Sequence, residues 1–167
     1  MCAFLACLSL SSFASALEIK SQTVIKGWSV IEAKTDRDGL SCQALRCDQP
    51  DCNSREASVS LLLWGSKYRN AITPMVGLGS DLPRRFPAQL SVGGKAFAFS
   101  QNKKPGPHRL LPKRKTDDAK IIRAMLTALS RDPQANAHVT SSLGEQKISL
   151  DGLPEVLAYF EEHCWIN

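Results

Sequence analysis

The sequence predicts a mainly β protein, an antiparallel β-sandwich or barrel-like sheet with two short helices, the second at the C-terminus. Three observations predict it. Short apolar runs recur along the chain between turn residues, and the run at 56–64 alternates with the period of a strand. Gly93-Gly94 separates two such runs, as a two-residue hairpin turn demands. Only two stretches carry apolar residues at helical spacing, with neither βαβ alternation nor an internal repeat.

The chain has 167 residues, about one domain, and its 43% hydrophobic and 22% charged residues are ordinary globular composition. Residues 1–16 stand apart. They hold no charge, contain the apolar run Ala3-Phe4-Leu5-Ala6-Cys7-Leu8-Ser9-Leu10, and end on Ala14-Ser15-Ala16 before the first charge at Glu18. An apolar run followed by an A-x-A site describes a cleaved export signal, here without the basic segment that usually precedes it. The expected organisation is therefore a signal peptide over 1–16 and one β-rich domain over 17–167, periplasmic or secreted. No stretch is apolar for long enough to cross a membrane as a helix.

The elements follow in order. Residues 19–27 lead into Gly27-Trp28-Ser29-Val30-Ile31, which reads as the first strand, and Asp36-Arg37-Asp38-Gly39 is a turn. A second strand opens over 41–44 and is interrupted by the polar loop 47–53. In the segment 56–64, Ala57, Val59, Leu61 and Leu63 share one face, with Ser58 and Ser60 on the other. The run 72–78 contains Pro74, which predicts an edge strand. The hairpin around Gly93-Gly94 spans 90–99, and a proline-rich basic loop covers 103–115. Thr116-Asp117-Asp118 then starts a helix, with Thr116 as N-cap and acids in the first turn. Its apolar face is Ile121, Ile122, Met125, Leu126 and Leu129, and Asp132-Pro133 stops it. A second hairpin joins 137–141 to 146–150. Asp151 caps a last helix carrying Leu153, Val156, Leu157 and Phe160 at core spacing, with Cys164 on the same face.

Beyond the signal lie four cysteines, Cys42, Cys47, Cys52 and Cys164, and the whole net charge of +5. An even cysteine count in an exported chain points to disulfides, because oxidising compartments form them and cytosolic thiol pools reduce them. Several connectivities are open; the preferred one closes the polar loop with Cys47–Cys52 and ties the last helix to the sheet with Cys42–Cys164. The spacing of five between Cys42, Cys47 and Cys52 matches no zinc pattern, so no metal is expected. His108, His138 and His163 are scattered. No nucleophile elbow, paired-histidine motif or phosphate-binding glycine loop is present, and neither catalysis nor a cofactor is expected.

The surface feature that stands out is the basic loop. Lys103, Lys104, His108, Arg109, Lys113, Arg114 and Lys115 fall close together, separated by Pro105, Pro107 and Pro112. Such a segment attracts phosphates or anionic headgroups. It carries no aromatic residues for base stacking, which argues against single-stranded nucleic acid as a specific ligand.

Taken together, these features resemble the invasion-associated locus B proteins of Gram-negative bacteria. The likeness rests on an export signal followed by Gly27-Trp28-Ser29-Val30, a cysteine strand and the hairpin through Val92 and Phe99. It continues in Ile122-Arg123-Ala124-Met125 and the closing Ile148-Ser149-Leu150-Asp151-Gly152-Leu153, spanning most of 24–163. The family usually has a cysteine just after its first strand and a cysteine pair after the hairpin. Here those places hold Ile31 or Glu32 and a cysteine-free basic loop. The resemblance implies a β-sandwich-like periplasmic or outer-membrane-associated protein without known catalytic residues, linked to host invasion in pathogenic members. The expected function is an exported non-catalytic envelope protein working by surface contact with envelope or host components or another protein. The alternative is a secreted inhibitor or small-ligand binder on a β scaffold; a lysozyme inhibitor is disfavoured because both partners would be cationic.

Overall fold

The computed structural model describes residues 18–35, 39–49, 59–67, 70–78, 87–101, 109–142 and 144–165. The first half of the chain is a meander of five strands: β1 (Glu18–Ile25), β2 (Trp28–Thr35), β3 (Gly39–Cys47), β4 (Val59–Ser66) and β5 (Ala71–Leu78). The hairpin strands β6 (Ala88–Val92) and β7 (Lys95–Gln101) follow, then β8 (Arg109–Pro112). A 3-10 turn (Lys115–Asp117) leads into α1 (Asp118–Arg131), and β9 (Asn136–Ser141) and β10 (Gly144–Ser149) form the last hairpin. The chain closes with α2 (Leu153–Phe160) and a π-helical turn (Glu161–Trp165).

All ten strands belong to one antiparallel sheet, ordered β1-β2-β3-β4-β5-β8-β7-β6-β9-β10. The sheet is mainly β as expected, and it bends until β10 lies close to β3 and β4. Its concave side holds Trp28, Leu61, Leu63, Leu90 and Phe99 against Ile121 and Met125 of α1 and Leu153 and Phe160 of α2, all fully buried. Val59, Leu61 and Leu63 share the core-facing side of β4, as their alternation requires. Gly93 and Gly94 both take positive φ, +56° and +75°, in the turn between β6 and β7. That is the left-handed pair a tight hairpin needs.

Several expectations change. The strand expected at 27–31 is present as β2, but it is not the first: the lead-in residues form β1, which pairs with β2 through a turn at Lys26 and Gly27, with φ of +45° and +82°. Pro74 does not lie on an edge strand of the sheet, because β5 is central. Its pairing with β8 nevertheless reaches only Val76 and Gly77, so the Pro74 stretch has a strand partner on the β4 side alone. A missing N–H is tolerated there. The basic segment is only partly loop, since Arg109–Pro112 is strand β8. Thr116 is not an N-cap: it lies inside the 3-10 turn, and α1 begins at Asp118 without a side-chain cap. Asp151 does not cap α2 either; Gly152 holds that place at φ +83°.

Candidate functional site

Cys42, midway along β3, is joined to Cys164 in the turn after α2, with Cα atoms 6.0 Å apart and 122 residues between them. Both residues are fully buried. This is the pairing expected from the sequence, and burial keeps it from attacking thiolates, which suits a crosslink rather than a redox reagent. Cys47 is also disulfide-bonded; Cys52, its expected partner, lies outside the described residues.

The segments 27–30 and 148–153 meet in one joint. Trp28 is fully buried, and its Nε1–H donates to the Asp151 carbonyl at 2.8 Å. Lys26 Nζ stands 2.5 Å from Glu155 Oε1 and 3.8 Å from Asp151 Oδ1, and the Arg46 guanidinium donates to the Lys26 carbonyl. The hydrogen bond to Glu155 raises the Lys26 ammonium above its usual pKa, and Lys26 in turn lowers Glu155. Both charges are solvated, so the pair contributes little to stability. The joint is packed rather than hollow: a Cβ on Gly152 would lie 2.6 Å from Lys26 Cβ and 3.3 Å from Trp28 Cδ1. Its residues hold the fold.

A second polar group joins the β1–β2 hairpin to the end of α2. Ser21 Oγ donates to Glu32 Oε2 at 3.2 Å and lies 3.0 Å from the Tyr159 hydroxyl. His163 stacks on Tyr159 with ring centroids 4.0 Å apart, and its Nδ1 is 3.7 Å from the same Glu32 oxygen. A base-activated nucleophile needs its hydroxyl on the imidazole. Here the carboxylate stands between Ser21 and His163, and Cys164 beside His163 is crosslinked. The arrangement braces the helix against the sheet.

Of the basic segment, Arg109, Lys113, Arg114 and Lys115 are described, and all four side chains are exposed. Their backbone is anchored: Leu110 is buried, and Lys113 N–H donates to the Ala98 carbonyl at 2.8 Å. Lys103, Lys104 and His108 lie outside the described residues. His138 pairs instead with Glu145 across the β9–β10 hairpin, at 2.6 Å.

One feature was missed by reading the sequence. A groove of about 710 Å³ runs between α1, the end of α2 and the start of β5. Its walls are apolar, with Ile72, Ile122, Leu126, Leu157 and Phe160, and Lys115, Asp118, Arg123 and Glu161 also line it. Along α1 the apolar face divides. Ile121 and Met125 enter the core, whereas Ala119, Ile122 and Leu126, rotated about 100° onward, face the groove. Leu126 stays 36% exposed. Asp118 accepts a hydrogen bond from Thr73 Oγ1 at 3.1 Å. Burial pushes its carboxyl pKa up, opposed by that hydrogen bond and by Lys115. The wide apolar face of α1 was a visible sign that one side of the helix would be left uncovered by the sheet.

Among the described residues, no group of three or more His, Cys, Asp or Glu side chains is placed to hold a metal ion, and no helix is long and apolar enough to cross a membrane. No protein-family model, curated protein or solved structure matches the chain.

Proposed function

We propose that the chain is an exported, non-catalytic cell-envelope protein that acts by contact through its surface. The observation that carries the reading is the buried Cys42–Cys164 crosslink. Bonds of this kind persist where thiols are oxidised, and cytosolic proteins rarely keep them. The apolar run and A-x-A site at 1–16 and the resemblance to the invasion-associated locus B family support the same assignment. The contact surface is the exposed strip Arg109, Lys113, Arg114 and Lys115, whose charge suits anionic envelope or host-surface groups.

Fractionation tests the first half of the reading. The protein should appear in the periplasm or the medium, shortened at its N-terminus, with Cys42 and Cys164 protected from alkylation until reduced. Full-length chain in the cytosol with every thiol alkylated would end it. For the contact surface, reversing Arg109, Lys113, Arg114 and Lys115 to glutamate should abolish retention on anionic vesicles at low salt. Unchanged retention removes the strip from consideration.

A second reading, a small-ligand binder on a β scaffold, is favoured by the groove beside α1. Its volume lies within the range of small-molecule sites, and it combines apolar walls with a few polar groups.

A further inference from the structure

Resting on the small-ligand reading, we propose that the groove between α1, α2 and β5 binds an amphipathic anion, a long-chain carboxylate. Its chain would lie along Ile72, Ile122, Leu126 and Leu157, with its head on the cationic wall formed by Lys115, just before α1, and Arg123 of α1.

Three observations lead there. The large apolar residues left exposed among the described ones are Ile19, Val24 and Leu126. The first two lie on β1, an outer strand of the sheet, whereas Leu126 opens into a concavity of about 710 Å³. Apolar surface that is concave and of that size fits a ligand chain better than bulk water. Next, neither Lys115 nor Arg123 is held in an ion pair among the described residues, although Lys120 is engaged by Asp117 nearby at 3.3 Å. Two cations thus line the groove outside any such ion pair, although Lys115 also acts on the nearby Asp118 carboxylate.

The acids in the groove define the polarity further. Asp118 is engaged by the Thr73 hydroxyl and sits beside Lys115, so it opposes an incoming anion weakly. Glu161 comes from the opposite, α2 side and repels a carboxylate there. An anionic head is therefore directed to the α1 wall, which is also continuous with the exposed Lys113 and Arg114. A cationic amphiphile would be oriented the other way, towards Glu161, and a neutral one would have no preferred end.

The experiment is calorimetric titration of the disulfide-intact protein, beginning at residue 17, with dodecanoate, dodecanol and dodecyltrimethylammonium, each below its micelle concentration. Dodecanoate should bind saturably with one molecule per chain. Removing two methylenes should weaken it about tenfold, as burial of an alkyl chain requires. Dodecanol and the ammonium should bind at least about tenfold more weakly, because they lack the charge that Lys115 and Arg123 recognise. Lys115→Glu or Arg123→Glu should weaken dodecanoate by a similar factor while leaving dodecanol unchanged. Ala119→Trp, at an exposed position facing the groove, should block binding with an unaltered melting curve. Equal affinity for the acid and the alcohol, tighter binding of the ammonium, or indifference to both charge reversals overturns the anion assignment but leaves a ligand site. Dodecanoate binding that survives Ala119→Trp places the site elsewhere and also overturns it. No saturable binding of any of the three ends the small-ligand reading itself.

Discussion

Gly152 enters α2 at φ +83°, and a methyl group there would stand 2.6 Å from Lys26 Cβ and 3.3 Å from the Ile25 carbonyl oxygen. Left-handed backbone costs an L-residue about 1 kcal/mol or more, and here steric overlap with the β1–β2 turn adds to it. Gly152→Ala should therefore destabilise the oxidised protein by roughly 2–4 kcal/mol, read as a lower urea midpoint at unchanged slope. A loss under about 0.5 kcal/mol would mean that the joint yields freely. At Asp118 the sign is opposite. Burial raises its pKa in the folded protein above the ordinary 3.8, so the folded state holds that proton more tightly than the unfolded chain. Its favourable contribution is full below the unfolded value and is lost as pH rises through the folded one. At neutral pH the ionised carboxylate thus opposes folding. Asp118→Asn keeps an acceptor for the Thr73 hydroxyl and removes the charge. It should raise the melting temperature at pH 7, and the gain should fade on acidification below the folded pKa. A gain that persists unchanged at pH 3 would point to packing instead of charge.

The crosslink acts at the scale of elements, tying the middle of β3 to the turn after α2. Closing a span of 122 residues restricts the unfolded chain, and replacing both Cys42 and Cys164 by alanine should cost about 3–5 kcal/mol by denaturant titration. That pairing was legible because Cys164 continues the buried face of the last helix and Cys42 sits in a strand. The Gly93-Gly94 hairpin, the alternation through Val59, Leu61 and Leu63, and the stop at Asp132-Pro133 were legible for similarly local reasons. The first hairpin was not. Its turn puts Lys26 in the left-handed region, where the usual signal is Asn, Asp or Gly. The caps at Thr116 and Asp151 failed because neighbouring contacts set those helix starts: Asp118 is bound by Thr73, and Gly152 is pressed against the Lys26–Trp28 turn. Pro74 suggested an edge because periodicity cannot show that β8 pairs with only one end of β5. The groove lay beyond reach for a related reason. Its existence depends on how α1 and α2 sit relative to β5, and no window of sequence contains all three.

At the scale of the whole molecule the sheet has two halves, β1–β5 and β8-β7-β6-β9-β10, each built from hairpins and joined along β5 and β8. That hydrogen-bonded seam is short, with Val76 opposite Leu110 and Gly77 opposite Arg109. Side chains make further connections, among them Thr73 of β5 to Asp118 of α1. Residues 151–164 follow β10 in the second half but bind the first through Trp28–Asp151, Ser21–Tyr159 and Cys42–Cys164. The C-terminal segment thus closes the curved sheet where β1 and β10 do not pair. Only one of these links is covalent, so reduction weakens the closure without touching any hairpin. Native-state hydrogen exchange should then show two effects. Amides exchanging through global unfolding, such as those between β2 and β3, should accelerate together by the lost global stability. Amides of α2 and β8 should accelerate by more, because opening the halves exposes them while both hairpin sets persist. If every protected amide accelerates by one common factor on reduction, the halves unfold as a single unit and the short seam is no point of weakness.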